Sequence, residues 1–211
     1  MSKSWLERRK RDYYYRRARE ENYRSRAAYK LLQAIEKYGL IKPGDVVVDL
    51  GAAPGGWLQV ARQVVGDKGF ILGVDVREIE PLDYGNVHVI LGDITDEETL
   101  RRIKAVLPRP ADAVISDVSP NISGVWELDH ARQIDLAEYS LRIALSILRR
   151  GGNLFIKVFQ GEFFDEFLSE VKRYFRYVEV FKPKASRKES AEIYIVGMDY
   201  RGSQLNSLES W

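Results

Sequence analysis

The sequence predicts an α/β fold built on a doubly wound, mostly parallel sheet with an antiparallel strand at one edge. Three observations predict it. Short apolar runs recur along the chain, amphipathic stretches of helical length separate them, and the last two runs have little helix between them. Alternation of this kind marks βαβ units whose strands are covered on both faces. With 211 residues, 45% of them hydrophobic, the chain is long enough for one sizeable core.

Taken in order, the first body element is a helix over 25–38, with Ser25 as its N-cap and Gly39 as its stop. Ala28, Leu31, Leu32 and Ile35 form its apolar face. The runs 46–50, 70–74, 87–91, 113–115 and 154–158 read as buried parallel strands. Helices are expected over 56–65, 96–106, 128–148 and 163–174 between and after them. The runs 177–181 and 193–198 fit a hairpin at one sheet edge. The chain therefore divides into an N-terminal arm (1–24), a single domain (25–198) and a tail (199–211). No apolar run approaches the roughly 18 residues of a membrane span. The charged, aromatic N-terminus does not read as a signal peptide, so a cytoplasmic protein is expected.

Charge is unevenly spread. Residues 1–30 carry eleven Lys or Arg against four acids, a surplus of +7 in a chain of net +2, which leaves the remainder at −5. The arm interleaves this charge with Trp5, Tyr13, Tyr14, Tyr15 and Tyr23. Arginine meets phosphates and aromatic rings stack on bases, so the mixture suits RNA. The alternative is a solvated helix whose aromatics dock on the body. The segment 182–188 adds four basic residues and reads as a second phosphate contact. The chain has no cysteine, which excludes a disulfide scaffold, a thiolate metal site and cysteine-dependent attack on a pyrimidine. His88 and His130 lack metal-ligand spacing and read as ordinary strand and helix residues, so no metal is expected.

The segment VVVDLGAAPGGW (46–57) is a strand, a small-residue turn and a helix start. Gly51, Gly55 and Gly56 would let the backbone approach a ligand, at the strand ends where open α/β sheets bind them. The turn is not G-x-G-x-x-G, and its strand ends in an acid, Asp49. Further acids follow at successive strand ends: Asp75, Asp93 and Asp117. A row of carboxylates would repel a dinucleotide's phosphates but suits a cationic ligand with ribose hydroxyls. S-adenosylmethionine fits, with Asp75 on its ribose and Asp93 near its adenine.

Four charged residues sit in apolar or ordered settings: Lys30 in the first body helix, Asp117 after a strand, Lys157 inside the apolar strand LFIKVF, and Glu192 at the start of the last strand. A lysine within a buried strand is costly unless paired or functional. Here the motifs RSRAAYKL, DLGAAPGGW, SDVSPNISG, KVFQG and AEIYIV resemble, in order and over roughly 11–198, those of the FtsJ/RrmJ family of ribose 2′-O-methyltransferases. The resemblance implies a Rossmann-like class I methyltransferase fold. It also implies a tetrad of Lys30, Asp117, Lys157 and Glu192, and S-adenosylmethionine contacts at Gly55, Trp57, Asp75, Asp93 and Asp117. It further implies an RNA substrate: large-subunit ribosomal RNA or its assembled subunit, with a uridine as target, or else a tRNA anticodon loop. The chain is expected to act on it as a monomer.

The tetrad makes chemical sense. A ribose hydroxyl is a poor nucleophile and must be held in line with the methyl it attacks. A general base adds about 10²–10⁴-fold. Two ammonium groups ~5 Å apart repel by about 3 kcal/mol at an effective dielectric of about 20, so Lys30 would favour a neutral amine at Lys157, while Glu192 and Asp117 would pull the other way and leave the net sign open. Lys157 is expected to accept the proton, with Lys30 and Glu192 positioning the ribose and Asp117 steering Lys157. An amino-group base methylase would show an Asn/Asp-Pro-Pro-aromatic turn, and Ser119-Pro120-Asn121 is not one. A nicotinamide oxidoreductase and a non-catalytic ribosome-assembly factor are the other rivals. The charge pattern predicts that deleting residues 1–22 weakens RNA binding and flattens its salt dependence; an unchanged slope of log affinity against log salt would remove the arm from the interface.

Overall fold

A computed structural model of the chain describes residues 12–202. The elements in chain order are α1 (Tyr13–Glu20), α2 (Ala28–Tyr38), β1 (Val46–Leu50), α3 (Gly56–Val65), β2 (Phe70–Asp75), β3 (Val87–Leu91), α4 (Glu97–Val106), β4 (Ala111–Ser116), α5 (Trp126–Ile147), β5 (Leu148–Phe159), α6 (Phe164–Tyr174), β6 (Phe175–Phe181) and β7 (Glu192–Tyr200). The seven strands form one sheet in the order β3-β2-β1-β4-β5-β7-β6. β1 to β5 pair in parallel, and β7 lies antiparallel against both β5 and β6. The mostly parallel sheet with an antiparallel edge is therefore present.

Strand residues alternate between the two faces, and each face has its own helices. On one side α4, α5 and α6 lay Ile103, Leu141 and Phe167 against Val48, Leu50 and Ile156. On the other, α2 and α3 lay Leu31, Trp57 and Leu58 against Val47, Ile115 and Phe155. This double cover explains why β1 and β4 are apolar almost without interruption. Strand order reverses between β1 and β4, so both neighbours of that crevice carry their connections away to opposite sides. Such switch points are where this class of sheet binds ligands.

Three expectations need correction. Ser25 is not the cap of α2: the helix starts at Ala28, and no side chain caps it. The backbone carbonyls of Ser25, Arg26 and Ala27 instead accept from the amides of Ala28, Tyr29 and Lys30, a tight opening turn. Gly39 does end the helix, in the left-handed conformation at φ 62°. The second correction concerns β3, expected as a buried strand. It is the outermost parallel strand, and Val89 and Leu91 are exposed on it; among the described residues no further strand pairs with its outer side. Third, β5 begins at Leu148, where a helical residue was expected, and its register against β4 jumps between Ala111 and Ala113. β7 runs on to Tyr200, into the segment expected as tail.

Residues 12–24 of the expected arm are not detached. Asp12 caps α1 by accepting the Tyr15 amide (3.1 Å), and its other oxygen pairs with Arg26. Tyr14 and Tyr23 both pack on Tyr29, and Ala18 is buried. The docked-helix alternative thus holds for part of the arm, while Tyr13, Arg16 and Arg19 face out. A deletion through residue 22 also strips this packing, and one that stops at residue 11 leaves it. Expectations that fall on 1–11 and 203–211 lie outside the described residues.

One stack ties the α2/α3 layer to the sheet. Phe155 packs on both Trp57 (centroids 5.5 Å apart) and Tyr194 (4.5 Å), which also meet each other (6.1 Å), and the indole N–H of Trp57 donates to the Ala27 carbonyl (2.7 Å). Truncating a buried Phe costs about 3–5 kcal/mol. Phe155→Ala is therefore expected to lower stability by that amount in a urea titration. A loss below about 1 kcal/mol would show that this stack is not a keystone of the layer.

Candidate active site

The C-terminal ends of β1, β2 and β4 meet around the switch point. The amides of Gly51 and Ala52 both donate to the Val74 carbonyl (2.8 and 3.1 Å), and the Asp117 amide donates to the Leu50 carbonyl (3.1 Å). The loops after three strands are thereby tied into one edge. Gly51, at φ 78°, has the backbone of Val118 so close that a Cβ would lie 2.9 Å from its nitrogen. A Cβ on Gly55 or Gly56 would likewise run into Arg24 or Ser25. The close approach expected between these glycines and a ligand is thus, in each case, first an approach to the chain itself. Arg24 holds the arrangement from above, donating to the carbonyls of Pro54 (3.3 Å) and Pro81 (2.8 Å).

The four acids expected along this edge do different things. Asp75 accepts the Ala53 amide (2.9 Å) and the Arg77 amide (2.9 Å). Asp93 is exposed and accepts the Thr95 amide and hydroxyl (2.9 and 2.8 Å). Each keeps acceptor capacity after this turn-forming work. Asp49 is fully buried, and neither of its carboxylate oxygens has a partner among the described residues. Burial, with Asp117 and Asp75 nearby, pushes its carboxyl well above the usual range. Trp57, expected at the cofactor, buries its ring in the core, so what it leaves for a ligand is its backbone amide in the first turn of α3.

The other half of the edge comes from α2, β5 and β7. Antiparallel pairing sets Lys157 opposite Tyr194 and Phe159 opposite Glu192. Lys30 meets both oxygens of Glu192, at 2.7 and 2.8 Å, and lies 3.8 Å from Asp117 Oδ1. Lys157 Nζ donates to the Asp117 carbonyl (2.7 Å) and lies 3.4 Å from the same Oδ1. Lys30, Asp117, Lys157 and Glu192, far apart in sequence, thus form one contiguous cluster. The Lys157 side chain is only 5% exposed. The Asp117 carboxylate reaches both ammonium groups, so the opposing pull expected from the acids stands beside the repulsion between the lysines. Burial pushes the Asp117 carboxyl up, yet Lys157, then Lys30 and the Tyr194 hydroxyl hold it below its ordinary value.

Two members escaped the sequence reading. Tyr194 donates its hydroxyl to Asp117 Oδ1 at 2.6 Å, and burial beside that carboxylate drives its own ionisation well above the usual range. Ser186 donates to Glu192 Oε1 at 2.9 Å. Tyr194 was detectable in principle: a residue two positions after Glu192 on a strand shares its face. Ser186 was not, since its place depends on how 182–190 folds. Arg26 and Gln33 clamp that segment by its Ala185 backbone, and Lys184, Arg187 and Lys188 are exposed on it. Lys182 instead turns back onto the Ser190 carbonyl (2.8 Å). A hollow of about 860 Å³ between α5 and α6 lies on the other face of the sheet and contains none of these residues.

The arrangement joins an acid-lined crevice, able to take a cationic ligand, to a buried amine held beside it. Residues 23–200 match the family model described as FtsJ-like methyltransferase. The chain belongs to that family. Its curated relatives include the ribosomal RNA large subunit methyltransferase E of Methanocaldococcus jannaschii, 51% identical over 205 residues, covering 96% of this chain and 84% of the relative. The protein of that name from Methanothermobacter thermautotrophicus is 50% identical over 204 residues, covering 97% of each. Among solved structures, a ribosomal RNA methyltransferase from Plasmodium falciparum superposes with a TM-score of 0.76 at 28% identity, over 86% of this chain and all of that one. A fibrillarin/Nop5p complex, at 20% identity and a TM-score of 0.57, shares the fold.

As an FtsJ-like methyltransferase the protein uses S-adenosylmethionine. The site fits that cofactor on the evidence of Asp49: a buried carboxylate without partners is costly unless a ligand completes it, and a cationic amino acid with a sulfonium does so. The sign of the pH effect follows. A carboxyl raised in the folded state binds more protons there than in the unfolded chain, so this group's contribution to stability falls as pH rises above the unfolded value near 3.9. Asp49→Asn is therefore expected to melt higher than the wild type without cofactor, by about 2–4 °C per kcal/mol, with a gap that widens from pH 5 to pH 8. It should bind S-adenosylmethionine more weakly. Parallel melting curves across that range would show that Asp49 is not the strained group of the crevice.

Proposed function

We propose that this FtsJ-like methyltransferase methylates a ribose 2′-oxygen of RNA, and that its substrate is large-subunit ribosomal RNA, at a uridine. The observation that carries the reaction type is the Lys30–Asp117–Lys157–Glu192 cluster at the edge of the cofactor crevice. The names of the curated relatives favour the ribosomal target over a tRNA anticodon loop, and with it a cytoplasmic place of work. They equally disfavour a non-catalytic assembly factor. Whether naked RNA or the assembled subunit is the substrate is decided by the assay below.

In this reading Asp49, Asp75, Asp93, Asp117 and the Gly51–Trp57 turn hold S-adenosylmethionine, with Gly55, Gly56 and the Trp57 amide at the helix start. The cofactor supplies an electrophilic methyl group on a sulfonium. The chain's own residues supply the rest. As the free amine, Lys157 takes the proton of the ribose hydroxyl at Nζ and becomes the ammonium ion that the Asp117 carboxylate pairs, while burial keeps water from competing for the proton. Asp117 aims that amine with its carbonyl and carboxylate, and Tyr194 fixes the carboxylate in turn. Lys30, braced on Glu192, donates to the ribose and holds its hydroxyl on the crevice side. Ser186 fixes Glu192 and so couples the exposed basic segment to the reaction centre.

Lys157→Ala is expected to cut the single-turnover rate by about 10²–10⁴-fold and leave S-adenosylhomocysteine affinity within a few-fold. The assay offers labelled S-adenosylmethionine with large ribosomal subunits, naked ribosomal RNA and bulk tRNA, then digests the product to nucleosides. Label in a 2′-O-methyluridine from one of the ribosomal substrates is the expected result. Label on a base, or near-normal turnover by Lys157→Ala, would refute the mechanism.

A further inference from the structure

Beyond the tetrad, the same edge carries a group of rings that the reaction does not use. Trp126, the first residue of α5, lies nearly parallel to His130 (centroids 5.6 Å, 15°) and to Phe159 (6.1 Å, 20°), and His130 lies parallel to Phe163 (5.6 Å, 4°). The inner ring is 2% exposed, while Trp126 is 45% and Phe163 41% exposed. The two outer rings belong to neither core layer. A half-bare tryptophan is an expensive way to plug a helix start, and flat exposed rings of this kind are what nucleobases stack on.

The array is rigid and close to the chemistry. His130 Nε2 accepts the Phe163 amide (3.1 Å), and a Cβ on Gly161 would lie 2.8 Å from the imidazole, so ring and loop are packed against each other. Asp129 accepts the Ser123 amide and hydroxyl (both 2.8 Å) and the Gly124 amide (3.0 Å), which pins the loop leading into Trp126. Phe159 is the next residue after Lys157 on the same face of β5, about 7 Å along the strand. Trp126 thus packs on the ring that stands one strand step beyond the amine. The exposed basic segment 182–188 reaches the same edge beside Glu192.

We propose that Trp126 and Phe163 form a stacking platform for an unpaired nucleobase next to the nucleotide whose ribose enters the tetrad. This rests on the RNA reading above. The platform recognises a base by its flat face and leaves the phosphates to the basic segments. It takes a base splayed from a loop or single strand, because a stacked duplex offers no free face.

The test measures binding of a fluorescent twelve-nucleotide oligouridylate to the full chain by anisotropy across a salt series, for wild type, Trp126→Ala, Trp126→Phe and Phe163→Ala. Loss of one stacked base is expected to weaken binding about 5- to 150-fold in Trp126→Ala. Trp126→Phe should recover most of that loss, and the slope of log affinity against log salt should not change, because no phosphate contact is removed. Wild type should also prefer the oligouridylate to an abasic strand of equal length. Unchanged S-adenosylhomocysteine affinity serves as the check on folding, and Phe163→Ala repeats the comparison from the other ring. Equal affinity of wild type and both alanine variants, or a loss that appears as a reduced salt slope, would overturn the platform. Failure of the wild type to methylate any RNA would instead overturn the function above, and the stacking comparison reads out independently of it.

Discussion

The carboxylate of Asp117 is the point on which the edge of this molecule depends. It receives a hydroxyl from Tyr194 on β7, lies within ion-pair reach of Lys30 from α2 and of Lys157 from β5, and its own backbone is tied to β1. Four elements from distant parts of the chain converge on one residue. Burying two ammonium groups and two carboxylates is costly unless each finds a partner, and a half-satisfied set is worse than none. The geometry meets that demand with little to spare: Glu192 holds Lys30 at closer range than Asp117 does, so the aspartate is left mainly to Lys157. The same residue that makes the lysine tolerable also aims it.

Much of this was legible in the sequence, for physical reasons that differ from element to element. β1 and α3 could be placed to the residue, because a strand covered on both faces and a helix opening on glycine leave strong local signals. The four charged residues stood out singly by their apolar settings, but their grouping as a tetrad was legible only through motif resemblance. Periodicity has no means of bringing residue 30 beside residue 192, which is a property of strand order. Tyr194 was half-legible, since it shares a face with Glu192 but acquires its meaning from Asp117 across the sheet. Ser25 misled because a serine before an apolar helix usually caps it, whereas here the neighbouring backbone closes the turn. Val89 and Leu91 misled because an apolar run does not say whether a strand has a neighbour on both sides.

The cofactor half and the tetrad half solve opposite problems. Around Asp117 every charge is answered by the chain. At Asp49 the chain withholds an answer: a fully buried carboxylate stands unpartnered in a region otherwise closed by backbone hydrogen bonds. Such a group is tolerable in the empty state only by holding its proton, and becomes favourable when a cation arrives. A positively charged ligand beside Asp49 would return the stability that this group withholds.

The antiparallel course of β7 has a consequence for how such an enzyme can diversify. Because β7 runs against β5, its first residue, not its last, stands at the active edge, and the connection from β6 arrives there too. Residues 182–191 therefore lie beside the Lys30–Asp117–Lys157–Glu192 cluster, where Ser186 holds Glu192, while supplying none of the crevice acids themselves. Insertions, deletions or changes of charge in that connection alter what docks above the tetrad and leave β1, β2 and β4 untouched. The fold in this way separates a part that must stay constant, the methyl-donor cradle, from a part free to be rewritten for a new RNA. One catalytic scaffold can then be retargeted by editing a single loop.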